Sequence, residues 1–230
     1  MADFGSIAIG TRIGRHVDAS FFHCWTGLLR STVMRPGDVV LNPAVGVPHC
    51  VGCCIIASHF LATPCDALLF LDDDMEFWAN QVATLRSDDH GFDVLSCLYV
   101  TRKGSHSPLV LAGDPKDGRP TRVPTEQIKG VVPVKYVGFG GLLVKRWVIA
   151  AVVEKYNGQS PFWFDQALGE DGRFSVDAAE AGAKIAVNCD VRFGHRVEMA
   201  LSWNVDKHRL DFAENDFGMT GVLNGNKQEK

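Results

Sequence analysis

The sequence predicts an α/β fold, a mostly parallel central sheet flanked by helices, on three observations. Apolar runs over the first seventy residues alternate as strand, helix, strand, helix, strand, the signature of parallel pairing through helical crossovers. The third of these strands, Ala67 to Leu71, ends on three consecutive acids, Asp72, Asp73 and Asp74. Parallel sheets bind ligands at the carboxyl ends of their strands, so these acids face the expected crevice. Finally, 230 residues with 46% hydrophobic content can bury one large domain, or one domain plus an extension. A net charge of −4 with 22% charged residues excludes wholesale disorder and bulk electrostatic adhesion to nucleic acid, though not a local basic patch.

Taken in order, Ser6 to Gly10 is an apolar strand that ends at Thr11-Arg12 and a loop containing Gly14. Asp18 caps a helix in which Phe21, Phe22, Trp25, Leu28 and Leu29 recur at helical spacing. Asp38 to Leu41 is a second strand, broken by Asn42-Pro43, and Cys50 to Ala62 is a buried helix closed by Thr63-Pro64. After the acid-tipped strand come a short helix around Trp78 to Leu85 and a strand over Phe92 to Val100. Lys103 to Pro133 is rich in Gly, Pro and charge and reads as a long excursion over the site. A strand is expected at Val134 to Val137, leading through Gly138-Phe139-Gly140-Gly141 to another at Leu142 to Val144. Helical spacing returns from Trp147 to Tyr156, and again after Gly169-Glu170-Asp171-Gly172, where acids start a helix that Gly182 stops. Lys184 to Val187 is then a strand, with Val191 to His195 closing the unit. Residues 1–200 are expected to form the catalytic domain, and 201–230 a C-terminal extension ending in a frayed tail.

Seven cysteines, most within apolar runs, read as reduced and buried thiols. Cys50 and Cys53 have C-x-x-C spacing, but a structural zinc site needs a second pair and none exists. No apolar stretch is long enough to cross a bilayer, and the first residues lack the basic-then-apolar pattern of a secretion signal. The expected location is cytoplasmic, in a host cell if the chain is phage-encoded.

Each candidate site feature has an ordinary explanation. The aspartate triplet is either an acidic turn or a place where something positive, such as a hard cation carrying a phosphorylated ligand, offsets the repulsion of three acids. Glu170 and Asp171 complement a helix dipole, and His195 alone is more often a hydrogen-bonded structural histidine. The glycines at 138–141 precede a strand and not a helix, which excludes a dinucleotide loop. They make a tight turn or leave room for a ligand. Phe162 and Trp163 either pack in the core or offer stacking faces to a sugar.

Order and spacing decide between these readings. An apolar strand ending in Asp72-Asp73-Asp74, the segment Gly138-Phe139-Gly140-Gly141, the pair Glu170-Asp171 opening a helix, and Gly194-His195 together resemble GT-A fold glycosyltransferases, especially family 2-like members of bacteria and phages. The resemblance covers residues 6–196 and implies a sugar transferred from a nucleoside diphosphate, with UDP the expected nucleotide, to an acceptor hydroxyl, with inversion. It implies that Asp74 binds Mn²⁺ or Mg²⁺, that Asp72 holds the ribose or reaches the metal through water, and that His195 completes the metal shell. By the same resemblance Asp73 assists or points toward the sugar, and Thr11, Arg12 and Asn42 hold the nucleotide. Gly140 and Gly141 make space for the donor, and Phe162 and Trp163 are the acceptor contacts. Asp171 is the general base, with Glu170 as its alternative or an acceptor partner.

One departure is specific. Many relatives carry Arg-Asn in the helix before the acid strand, where this chain has Cys53-Cys54, so nucleotide contacts fall to Arg12 or Arg15. The implied acceptor is DNA, a protein or a small molecule, including a hydroxymethylated base in phage-type DNA. Arg102, Lys103, His106, Lys116, Arg119 and Arg122 either track phosphates or form a solvated loop. The alternatives are a nucleotidyltransferase acting on sugar phosphates, with Gly10 to Arg15 as a loose glycine-rich loop, and an inactive sugar-nucleotide-binding domain.

Overall fold

The computed structural model describes residues 3–14, 16–102, 106–112, 121–157, 161–163, 168–197, 199–204 and 209–214. Strand β1 (Ile7–Ile13) is followed by α1 (Ala19–Leu29), two-residue strands β2 (Val39–Val40) and β3 (Ala44–Val45), and α2 (His49–Leu61). Strand β4 (Ala67–Asp72) leads through β5 (Met75–Glu76) to α3 (Ala79–Ser87) and β6 (Val94–Leu98). The excursion holds β7 (Leu111–Ala112), β8 (Thr121–Arg122), a 3₁₀ turn (Thr125–Gln127) and β9 (Val131–Pro133). Then come β10 (Gly141–Lys145), α4 (Arg146–Lys155), α5 (Glu170–Glu180), β11 (Ile185–Arg192), β12 (Gly194–His195), and a hairpin of β13 (Met199–Asn204) and β14 (Arg209–Glu214).

The central sheet has the order β2-β1-β4-β10-β6-β11-β9, with β3 also on β1. Strands β1, β2, β3 and β4 pair in parallel, as do β6 and β11, while β10 and β9 run against their neighbours. Strands β1 and β4 are buried over nearly their whole length, as central strands covered on both faces must be. Side chains alternate across them. Ala8, Leu68, Phe70, Leu142 and Val187 join the core under α2, α4 and α5, whereas Ile7, Ile9, Leu69, Leu143 and Ala186 join the core under α1 and α3.

The expected elements occur, with informative shifts. Asp18 caps α1 by accepting from the Ser20 amide, and all seven cysteines are free. The strand expected at 134–137 lies earlier, at β9, because Val131, Val132 and Pro133 pair with Asn188, Val187 and Ala186. After β9 the chain turns toward α5, where the Val137 amide donates to Ser175 Oγ at 3.1 Å. The weakly patterned segment beyond His195 contains the β13–β14 hairpin, and the expected tail, Gly221 to Lys230, lies outside the described residues. Among the described residues, no helix is long and apolar enough to cross a membrane.

A buried ion pair ties the amino-terminal half together. Arg86, ending α3, donates to both carboxylate oxygens of Asp38 at 2.7 and 3.0 Å, and to the carbonyls of Val33 and Gly5. Asp38 in turn accepts from the amides of Ile7 and Arg35. Both side chains are shielded, at 1% and 0% exposure, so removing one strands the other's charge. Arg86→Ala is therefore expected to cost about 3–5 kcal/mol in chemical denaturation. A loss below about 1 kcal/mol would contradict this assignment.

Candidate active site

The carboxyl ends of β1, β4 and β6 converge on a cleft of about 450 Å³. Its wall includes Arg12, Asp72, Asp74, Tyr99, Arg102, Gly140, Glu170, Asp171 and His195, together with His49 from the start of α2. Residues more than a hundred positions apart meet here because strand register brings them together. Arg12 lies beside Asp72 in the β1–β4 ladder, and His195 pairs with Met75 in the β5–β12 ribbon. The Arg196 amide donates to the Asp74 carbonyl at 2.9 Å, which fixes the end of β12 against the acid turn.

The centre of the cleft is a carboxylate facing an imidazole. Asp74 Oδ2 stands 3.1 Å from His195 Nε2, and His195 Nδ1 is 2.8 Å from the Val100 carbonyl. A carbonyl only accepts, so Nδ1 carries a proton, and Nε2 either donates a second proton to Asp74 or turns a lone pair toward it. Two acceptors cannot face each other at this distance without a cation: the proton of a charged imidazole, a guanidinium or a metal. Burial disfavours charge on His195, but the bonds to Asp74 and Val100 outweigh it and raise its pKa. Burial likewise opposes ionisation of Asp74, yet His195 and Arg102 hold its pKa below the ordinary value. With Nε2 unprotonated, a ring whose other N–H is fixed on a carbonyl could serve as a metal ligand.

Asp72 lines the same cleft, but its partner is Arg12 and not His195. Its Oδ1 accepts from Arg12 Nε at 2.9 Å and also from Arg12 Nη2. The same guanidinium reaches Glu170 Oε1 at 3.4 Å and lies 5.3 Å over the Phe139 ring. Arg12 is thus a buried counter-ion joining β1, β4 and α5. Asp73 accepts from the Gly14 amide at 2.6 Å, which ties the loop after β1 to the acid turn.

Adjacent acids at the start of α5 have opposite environments. Glu170 is paired with His49 at 3.5 Å and with Arg12, and its pKa falls to about 2, chiefly through the His49 bond. Asp171 is raised above the ordinary value, first by burial and then by the charge of Glu170. Its only hydrogen bond at the carboxylate on the described residues comes from the Gly172 amide at 2.7 Å. The two neighbouring acids are thus chemically distinct: Glu170 is an ion-pair partner, whereas Asp171 is a buried carboxyl with no cation paired to it among the described residues. Helix α5 is held in place from behind, where Lys155 and Tyr156 both bond the buried Asp177.

Several expected site residues lie elsewhere. Thr11 is buried, and successive residues of a strand point to opposite faces, so it faces away from Arg12 and the cleft. Asn42 is exposed between β2 and β3, outside the cleft wall. Gly140 lines the cleft, but a Cβ on Gly141 would meet Cys97 Sγ at 2.5 Å and Phe193 at 2.6 Å. One on Gly138 would collide with the Tyr99 hydroxyl. The glycines at 138 and 141 therefore admit the protein's own side chains and not a donor sugar. Phe162 is fully buried among Phe70, Phe139 and Phe174, with ring centroids 5.6–6.1 Å away, so it is a core residue and offers no face to an acceptor. Trp163 stays 37% exposed, with the Arg173 guanidinium 5.0 Å from its ring.

Of the basic group, Lys103, Lys116 and Arg119, like Arg15, lie outside the described residues. Arg122 bonds the Pro108 carbonyl, and Arg102 pairs with Asp74 at 2.8 Å. Sequence reasoning missed His49, a lone histidine after Pro48, and Tyr99, whose buried hydroxyl accepts from the Gly140 amide at 3.3 Å.

The sheet order and the cleft at its strand ends define the fold as that of GT-A glycosyltransferases. A197 from STIV matches with a TM-score of 0.55 at 17% identity, over 89% of this chain and 92% of that one. GalNAc-T7, in a crystal structure with UDP, GalNAc and Mn²⁺, matches with a TM-score of 0.59 at 10% identity, over 83% of this chain and 43% of that one. The chain thus spans less than half the length of GalNAc-T7, and the likeness at these identities is one of fold. No family model and no curated protein matches the sequence.

Proposed function

We propose that the cleft transfers a sugar from a nucleoside diphosphate, with UDP the expected nucleotide, to an acceptor hydroxyl with the help of a divalent cation. The observation that carries this reading is the Asp74–His195 pair in a cleft that also holds Asp171. Four carboxylates on the wall outnumber its two guanidiniums, and even with His49 and His195 protonated the charges only balance, so the cleft has no positive excess to hold a diphosphate. A bound divalent cation would supply that excess. Among the described residues no cluster of three metal-binding side chains occurs, but Asp74 and His195 suffice for an ion that takes its remaining oxygens from phosphate and water. When bound, Mn²⁺ or Mg²⁺ would stabilise the charge that develops on the departing diphosphate.

The chain's own residues supply the rest. Asp74 and His195 would hold the cation, Arg12 keeps Asp72 and Glu170 in fixed orientation, and Asp171 accepts the proton of the attacking hydroxyl. A carboxylate that takes the proton of an acceptor hydroxyl attacking the sugar directly, as the diphosphate leaves, fits inversion. The exposed ring of Trp163 is the aromatic surface assigned to the acceptor. The fold of GalNAc-T7, a structure containing UDP and Mn²⁺, supports the choice of nucleotide and ion.

A panel of sugar nucleotides incubated with and without Mn²⁺ tests the reading. Metal-dependent release of free nucleoside diphosphate is the expected result, and pyrophosphate release would instead indicate nucleotidyl transfer. Residues 10–13 lie within β1 and form no glycine-rich phosphate loop, which favours the first outcome.

A further inference from the structure

The two arginines of the cleft hold their acids in different ways. Arg12 is buried at 8% exposure, places two nitrogens on Asp72, and reaches Glu170 as well. Arg102 touches a single oxygen, Asp74 Oδ2, through one nitrogen, and its side chain is half exposed. A solvated one-point ion pair is weak and exchanges readily, whereas a buried multi-point pair does not. The backbone beneath Arg102 is nevertheless fixed. The Thr101 amide donates to the Ser107 carbonyl, the Leu109 amide to the Tyr99 carbonyl, and Val100 bridges Pro108. The carbonyl of Val100 also holds His195. Residues 100–102 therefore supply both the bond that aims the imidazole and a permanent positive charge on the same carboxylate oxygen.

We propose that Arg102 is the exchangeable counter-ion of Asp74, displaced by a divalent cation and then free to pair with the diphosphate lining the same cleft. The inference rests on the metal-dependent reading above and adds a linkage to it. The metal alone must break an ion pair without replacement, while the metal with nucleotide gives the guanidinium a new anion. Metal and nucleotide consequently bind with positive coupling, and the coupling is reciprocal.

Free Mn²⁺, measured by the electron paramagnetic resonance signal of the hexaaqua ion, would be titrated against the full chain with and without UDP. The wild type is expected to gain Mn²⁺ affinity by a factor on the order of ten when UDP is present. Arg102→Gln should bind Mn²⁺ alone severalfold more tightly than wild type and gain much less from UDP. Arg102→Lys, which keeps the charge, should retain most of the gain. Unchanged affinities for Arg102→Gln in both arms, or weaker binding of Mn²⁺ alone, would overturn the role of Arg102 while leaving the metal reading intact. A wild-type chain that binds no Mn²⁺ even with UDP would overturn both.

Discussion

Asp171→Asn is expected to lower turnover about 10²–10⁴-fold while leaving Mn²⁺ and nucleotide affinity near wild type. The substitution preserves shape and removes only the capacity to take a proton. The choice between neighbouring acids follows from their partners. Glu170 is neutralised by His49 and Arg12 and held to a pKa of about 2, too weak a base to share a proton effectively. Asp171 is raised by burial and by the adjacent charge of Glu170, and no cation pairs with it among the described residues. The base acts in its ionised form, so the rate falls as pH drops through its folded pKa, which lies above the ordinary carboxylate value. The pH profile of kcat should therefore show an acid limb that the Asn variant lacks. Near-full activity of Asp171→Asn, or a larger loss in Glu170→Gln, would assign the proton to a different group.

Asp74→Asn is expected to weaken Mn²⁺ binding by at least about a hundredfold, since even outer-shell partners of a metal commonly cost 10–100-fold. It removes one of the two proposed protein ligands and one of the four wall carboxylates in a single step. The variant also frees Arg102, so nucleotide binding without metal should be retained or improved while metal-dependent turnover is lost. Calorimetric titration of Mn²⁺ in the presence of UDP reads the effect directly. Wild-type Mn²⁺ affinity in this variant would place the cation elsewhere.

The acid turn was legible because an apolar strand announced where it ended, and α5 because acids, apolar spacing and a stopping glycine agreed. His195 was legible only through a resemblance. Its two-residue strand carries no periodicity, and its position next to Asp74 depends on the register of β12 with β5. Arg12 was seen as a strand-end residue, but its pairing with Asp72 follows from the parallel register of β1 and β4, which local pattern does not encode. Phe162 shows another limit. A run of aromatic residues specifies burial or display with equal force, and only the closed cluster with Phe70, Phe139 and Phe174 decides it. The glycines mislead for a related reason, because empty space beside a missing Cβ is filled by residues far away in sequence, here Tyr99, Cys97 and Phe193.

The most direct measurement is an anomalous difference map from crystals of this protein grown with Mn²⁺ and UDP. One strong peak is expected within bonding distance of both Asp74 and His195, with the diphosphate completing its shell. A peak bonded to neither side chain, or nucleotide bound in the cleft without any anomalous signal, would contradict that placement.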